Sequence, residues 1–203
     1  MSPGLRPVGI VLASKSSARR AVLDGAGVPY EAASADVDED AVKVAMLAEG
    51  ANPRDIADAL AELKAIKVSR AGRQFVIGAD QTLELEGALY DKAETVEGAR
   101  ARLQALRGKP HKLHSAVVVA KDGLPIWREV VTATLTMRGF SDAFLDGYLA
   151  AEGAAALGSV GCYRLEGQGV QLFSKIDGDY FTILGLPLMG LLDLLRRHGE
   201  LPA

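Results

Sequence analysis

The sequence predicts an α/β fold with antiparallel strand pairs mixed in, and three observations predict it. Short apolar runs of strand length alternate with amphipathic or Ala- and Leu-rich segments of helical length. The pairs Glu86-Gly87 and Asp122-Gly123 are two-residue turns between apolar runs, the kind that closes an antiparallel hairpin. No internal repeat, low-complexity run or long linker breaks the alternation, and 203 residues suit one domain or two closely packed lobes.

The elements follow in order. Val8 to Ala13 is a short apolar run, a buried strand. Ser14-Lys15-Ser16-Ser17 then offers N-cap residues to a helix from about Ala18 to Ala26, which Gly27 ends. Tyr30 to Ala35 reads as a second strand, closed by the acidic turn Asp36-Val37-Asp38-Glu39. Val42 to Glu49 and Pro53 to Ala71 read as helices, with Pro53 suited to a first turn. Phe75 to Ala79 is a buried strand, and Thr82 to Glu86 with Ala88 to Tyr90 form a hairpin. A helix over Val96 to Leu106 precedes strands at Leu113 to Ala120 and Ile126 to Met137. Asp142 to Ala151 is a helix capped by Ser141, and Gln171 to Ile176 is a strand. Phe181 to Leu195 reads as a buried strand end running into a core helix, Leu188 to Arg197.

Composition excludes several function classes. Lys and Arg number 23 against 26 Asp and Glu, a net charge of −3, so no broad basic field exists to grip polymeric DNA or RNA. A few local cations can still hold a small anion. The single cysteine, Cys162, rules out a disulfide within the chain, fits a reducing cytoplasm and reads as a small packing residue. Met1 to Pro7 lacks the cationic start and apolar core of a signal segment. Phe181 to Leu195 is too short to span a bilayer, so no membrane is expected as a partner.

Four places can carry chemistry. Ser14 to Arg20 lies between a strand and a helix, where unpaired N–H groups, hydroxyls, Lys15 and Arg19 make a phosphate seat. The same residues also serve as a plain helix cap with a solvated cationic face. Asp36 to Asp40 is a carboxylate cluster that can hold a hard cation or simply form a solvated loop. Asp80 follows the apolar run Phe75-Val76-Ile77, near the carboxyl end of a strand, as a general base, a metal ligand or a turn residue. Lys64, within a helix, and Lys92, after the hairpin, can neutralise phosphate as point charges or sit as surface lysines. His111 and His114 fall on opposite faces of a strand, a poor metal pair, and read as structural or rim residues.

The order of these blocks resembles the Maf family of nucleotide pyrophosphatases over nearly the whole chain. The matching residues are Leu12-Ala13-Ser14-x-Ser16-x-x-Arg19, Asp36-Val37-Asp38-Glu39, Leu63-Lys64-Ala65, Gly78-Ala79-Asp80 and Asp91-Lys92. Gly108-Lys109-x-His111, Gly161-x-Tyr163-x-Leu165-Glu166-Gly167-x-Gly169 and Gly185-Leu186-Pro187 complete the set. The resemblance implies a single domain over 1–203, with an elongated mixed sheet flanked by helices and two lobes around a cleft, akin to the inosine triphosphatases. It implies hydrolysis of a nucleoside triphosphate to the monophosphate and pyrophosphate with a divalent cation (Mg, Mn or Co). By the same resemblance Asp80 is the base, Ser14, Ser16, Arg19, Lys64 and Lys92 grip phosphates, and Glu39 joins Asp80 at the metal. Gln81 with Glu166 is similar to the branch that prefers 7-methyl-GTP, and a homodimer is the assembly implied.

The chemistry agrees with that residue set. Water must attack the α-phosphorus while pyrophosphate leaves, which needs a base and cations around the triphosphate. Other readings are a nucleotide-binding regulator of cell division without turnover, a dTTP or UTP pyrophosphatase, and an inosine or xanthosine triphosphatase. The retained Asp80 and both lysines favour catalysis over sensing, and the Ser14 to Arg19 block disfavours the inosine triphosphatase.

Overall fold

The computed structural model of the chain describes residues 9–70, 72 and 74–202. Met1 to Pro7, Val8 of the first expected strand and Ala71 of the expected long helix lie outside the described residues. Seven strands form one mixed sheet: β1 (Ile10–Ala13), β2 (Glu31–Ala32), β3 (Phe75–Leu85), β4 (Ala88–Tyr90), β5 (Pro110–Lys121), β6 (Leu124–Met137) and β7 (Phe173–Asp177). Their order is β2-β1-β3-β5-β6-β7, with β4 also on β3. β1 runs parallel to β2 and β3, and every other pairing is antiparallel. The elongation comes from β3, β5 and β6, which are 11, 12 and 14 residues long. Seven helices flank them: α1 (Ser17–Gly25), α2 (Glu39–Ala48), α3 (Pro53–Ser69), α4 (Val96–Leu106), α5 (Asp142–Glu152), α6 (Tyr180–Ile183) and α7 (Leu188–Arg197).

The edge of β3 decides where a ligand can enter. One edge pairs with β5 from Val76 to Glu84. The other pairs with β1 from Phe75 to Gly78 and with β4 from Leu83 to Leu85. Ala79 to Thr82 therefore have no strand beside them on that edge. The side chains divide in the same way. Phe75, Ile77 and Ala79 pack with α1 and α7, while Leu83 and Leu85 pack with α4, α5 and β6. Asp80, Gln81 and Thr82 are the polar interval between the two apolar clusters.

The structure corrects the sequence reading in several places. β3 does not stop at Ala79 but continues through Leu85, because β5 pairs across the polar residues and satisfies their backbone. Tyr30 to Ala35 keeps only Glu31 and Ala32 as strand, at the exposed sheet edge. Asp36 to Glu39 is not wholly a turn. Asp38 caps α2, accepting from Ala41 N at 3.1 Å, and Glu39 opens the helix, where its negative charge suits the N-terminal dipole. The expected strand from Gln171 begins at Phe173, since Gln168–Leu172 is a 3-10 turn. Phe181 is no strand end: it lies in α6, capped by Asp179, which accepts from Thr182 N at 2.9 Å. Both hairpins stand as read, with Glu86-Gly87 and Asp122-Gly123 all at positive φ, as the tight turn requires. No helix among the described residues is long and apolar enough to cross a membrane.

Helix α3 packs on β3 and β5 through small residues. Ala57, Ala61 and Ala65, one face at four-residue spacing, meet Ala116, Val118 and Ala120 of β5. Against β3 the fit is closer still. A Cβ on Gly78 would lie 2.2 Å from the Ala61 carbonyl oxygen and 2.6 Å from Ala65 N. Asp80, two residues on, shares that face of the strand, and Lys64 stands beside Ala65. The missing Cβ at Gly78 thus sets the distance between the two charged residues.

On the far side, His111 is buried at 2% exposure, with Nε2 2.7 Å from the Tyr163 hydroxyl and its ring beside Phe173. His114 turns the other way, to Glu84 and Thr132. The two histidines share no partner, as their spacing predicted. Burial pushes the His111 pKa down, to about 4.

Two outcomes follow from this packing. Gly78→Ala forces backbone apart and is expected to cost about 3 kcal/mol, a Tm drop of roughly 10 °C by thermal unfolding. An unchanged Tm would contradict the close approach. For His111, the unfolded chain takes up a proton below the ordinary value of 6.5 while the folded protein does so only near 4. Stability attributable to it is complete above that upper value and is lost as pH falls through the window, about 3 kcal/mol in all. His111→Gln should flatten the stability–pH curve between those limits, measured by urea unfolding at a series of pH values.

Candidate active site

The residues that the family resemblance assigns to the site line one cleft of about 830 Å³: Ser14, Ser16, Arg19, Glu39, Lys64, Asp80, Gln81, Lys92 and Glu166. Its floor is the open interval of β3. Lys64 of α3 reaches Asp80 Oδ1 at 2.6 Å and Glu39 Oε1 at 2.8 Å, so one ammonium bridges two carboxylates from different elements. Asp80 and Lys64 are both buried, and Glu39 is half-exposed at the rim. Burial pushes the Asp80 carboxyl above its ordinary value, against the pull of Lys64 and Arg19. Burial also acts on Glu39, but Lys64, with Lys43 and Arg19 behind it, brings that carboxyl below the ordinary value. The two carboxylates on one lysine are therefore unequal. The inner one is poised to take a proton and the outer one to stay ionised.

The wall above is built by the strand-to-helix turn after β1. Ser16 caps α1, accepting from Arg19 N at 3.4 Å. Ser14 Oγ accepts from Ser16 N at 3.3 Å and from Arg19 Nη1 at 3.1 Å. Arg19 Nε donates to the Gly185 carbonyl at 2.8 Å, which fixes the guanidinium under the helix N-terminus. Lys15 lines the exposed rim of the cleft, 3.6 Å from Asp36. The expected carboxylate cluster has dispersed: Asp36 faces Lys15, Asp38 caps a helix, and only Glu39 reaches the floor.

The opposite wall comes from the loop after β4 and the segment before β7. Lys92 has no ion-pair partner among the described residues, and burial, then the nearby Arg19 charge, pushes its pKa below the ordinary lysine value. Glu166 is exposed at the mouth, where Arg164 Nε donates to its Oε1 at 3.2 Å. Gln81 is tied down instead. Its Nε2 lies 2.8 Å from Ser115 Oγ and 3.0–3.1 Å from the carbonyls of Ile183 and Thr182, so it braces α6 against the sheet. Cys162 is fully buried and plays the packing part that its isolation suggested.

Two residues escaped the sequence reading. Lys43 lines the cleft and binds Asp91 Oδ1 at 2.5 Å, across from α2. Its position four residues after Glu39 was the available signal, since both then share a helix face. Arg102 of α4 donates to the carbonyls of Asp91 and Val160, each at 2.6 Å, and covers the Tyr90 ring at 4.6 Å. It joins the Lys92 loop to the Ser159–Glu166 segment, and nothing in its own helix pattern marks it.

Among the described residues no three His, Cys, Asp or Glu are grouped so as to hold a metal by themselves. The donor set present is two carboxylates, Glu39 and Asp80. That set fits an ion such as Mg²⁺, which takes one or two carboxylates and completes its shell with water and substrate phosphates. Chemically, the cleft joins a carboxyl able to accept a proton to several cations that can hold phosphate, set among carboxylates.

Comparison with known proteins places the chain in a family. A family model described as "Maf-like protein" matches residues 9–198. The chain is similar to a nucleoside triphosphate pyrophosphatase of Caulobacter vibrioides, 65% identical over 95% of this chain and 96% of the relative. It is similar to one of the same name from Granulibacter bethesdensis, 55% identical over 95% and 98%. A 7-methyl-GTP pyrophosphatase of Brucella abortus is 51% identical over 94% and 96%.

Proposed function

The chain belongs to the Maf-like family, and on that premise we propose that it is a nucleoside triphosphate pyrophosphatase. It cuts the α–β anhydride of a bound nucleotide to release the monophosphate and pyrophosphate, a house-cleaning hydrolysis. The observation that carries the reading is the bridge in which a buried Lys64 holds Glu39 and Asp80 on the floor of a cleft that also presents Arg19 and Lys92. A protein that only senses nucleotides has no need of a buried carboxyl whose proton affinity burial has raised above the ordinary value.

In this mechanism the triphosphate lies along the N-terminus of α1, its oxygens facing the N–H groups there, Arg19 and Lys92. Asp80 accepts a proton as a water oxygen bonds to the α-phosphorus. The bond from that phosphorus to the bridging oxygen breaks, and the electron pair leaves with pyrophosphate. Lys64, Arg19 and Lys92 meet the charge that moves onto the leaving group. A divalent cation (Mg, Mn or Co) held by Glu39 and Asp80 with substrate phosphate oxygens supplies further neutralisation when bound. The same reading takes the chain as cytoplasmic, which its single buried thiol supports, and as a homodimer, the assembly its family resemblance implies.

The base is read at the mouth. The Glu166 carboxylate accepts hydrogen bonds, and guanine offers N1–H and N2–H₂ side by side. A 7-methylated guanine adds a positive charge, which favours the carboxylate further. We therefore take 7-methyl-GTP, or another non-standard purine nucleotide, as the substrate. A second reading rests on Arg164. Arg164 lines the cleft between Glu166 and Glu152, whose Oε2 lies 3.5 Å from its Nη1, and its guanidinium N–H groups are donors of the kind that the carbonyl oxygens of thymine or uracil accept.

Asp80→Asn keeps the shape and removes the proton acceptor. Turnover is expected to fall by at least about 10³-fold while nucleotide still binds, read by pyrophosphate release and calorimetry. A variant with near wild-type kcat removes Asp80 as the base. Excess EDTA should silence wild-type turnover, and added Mg²⁺ or Mn²⁺ should restore it. For the base, kcat/KM is compared for 7-methyl-GTP, GTP, dTTP and UTP. The guanine nucleotides should lead in the wild type, and Glu166→Gln should lower that preference about tenfold. A wild type that prefers dTTP or UTP, unmoved by the substitution, supports the Arg164 reading instead.

A further inference from the structure

Charge within the cleft poses a problem for a polyphosphate. Its lining holds six cationic side chains and seven carboxylates, so it offers no excess of positive charge. Most of the cations are already engaged. Lys64 holds Glu39 and Asp80, Arg19 holds Ser14 and Gly185, and Lys15 faces Asp36. Lys92 alone among these cations has neither an ion-pair nor a side-chain hydrogen-bond partner among the described residues. A bound triphosphate brings several negative charges, more than one lysine meets, so an engaged cation is drawn in as it enters.

Lys43 is the cation built for that exchange. Its side chain is only 15% exposed, yet its ammonium ends in the cleft, 2.5 Å from Asp91 Oδ1 and 3.6 Å from Asp40 Oδ1. Neither partner has the depth of the Lys64 bridge: Asp91 is 54% exposed and Asp40 92%. Asp91 precedes Lys92, which puts the pair beside a cation already facing the cleft. The helix that carries Lys43 has no fully buried residue and keeps Val44 and Leu47 in solvent, so it is less tightly packed than α3 and its adjustment meets less resistance. Burial alone would lower the lysine pKa, but Asp91, with Asp80 and Glu39 further in, holds it above the ordinary value, so it enters the exchange charged. A lysine ammonium has three donors on a flexible stem and can pass from a carboxylate to a phosphate without leaving its place.

We propose that Lys43 is a further polyphosphate-binding residue, held in reserve by Asp91 and transferred to the substrate's phosphates when the nucleotide enters. The inference rests on the pyrophosphatase reading for the identity of the ligand. Asp91 serves as a competitor that the phosphate displaces, so the two halves of the ion pair have opposite effects on affinity. A merely structural strut between α2 and the Lys92 loop would give both halves the same effect.

The test uses the full chain and steady-state pyrophosphate release. Lys43→Gln should raise KM for the nucleotide about tenfold, with a smaller change in kcat. Lys43→Arg keeps the charge and should stay within about threefold of wild type, which also answers a Lys43→Gln chain that folds poorly. Asp91→Asn should lower KM, and that gain should vanish in the Lys43→Gln background. Equal increases in KM from both single variants, or no change with Lys43→Gln, overturn the proposal. If the wild type releases no pyrophosphate from any nucleotide, the functional reading fails, and Lys43 is still decided by calorimetry with inorganic tripolyphosphate. There Lys43→Gln is expected to bind about tenfold more weakly than wild type, and equal binding overturns the inference.

Discussion

Helix α3 lies so near strand β3 that Gly78 faces the Ala61 carbonyl with no room for a Cβ. That contact fixes a long helix on a long strand at one depth and one register. Lys64 and Asp80 are each carried by one of the two elements, and their 2.6 Å bridge follows from the backbone approach. The helix supports it with alanines at positions 57, 61 and 65, and β5 with Ala116 and Ala120. Larger side chains at these positions would lift α3, and the buried pair would separate into two unpaired charges, each costly in a dry interior.

The second constraint is the interrupted edge of β3. β1 and β4 occupy its two ends and leave Ala79 to Thr82 open between them. Apolar clusters close above and below this interval, so the polar residues of a central strand look out into a cleft. The arrangement resolves a conflict that would otherwise destabilise the sheet. Asp80, Gln81 and Thr82 are buried or half-buried in a central strand, and each finds a partner in Lys64, α6 or the Pro53 carbonyl. Lys64 is held in turn by Glu39 of α2, which has no fully buried residue. The site thus joins the most tightly packed helix to the least packed one.

Local pattern made much of the fold legible. Both hairpins, the Ser141 cap of α5 and the limits of α4 and α7 follow from turn chemistry, capping and apolar spacing. Errors arose where local signals were weak or tertiary pairing overrode them. Phe181 lies in an apolar stretch that reads as strand, yet the Asp179 cap winds it into a helical turn. Asp80 looked like the residue after a strand, because an ionisable side chain is rarely tolerated within one. Only β5, thirty residues on, keeps it inside.

For the site, the sequence by itself determined which residue types are available and in what order: the hydroxyls and Arg19 at a helix start, the acidic run, two lysines and an aspartate after an apolar run. Their chemistry was open at each position, because a lone lysine or aspartate looks alike on a surface and in a cleft. The tertiary structure decided which of them meet. It took Glu39 out of the acidic run and left Asp36 and Asp38 to Lys15 and a helix cap. It turned Gln81 into a brace, and it brought in Lys43 and Arg102, whose partners lie 48 and 58 residues away. The reason is physical: helix propensity, capping and strand alternation act over a few residues. The depth, charge pairing and proton affinity of a buried group depend on neighbours that only folding brings close.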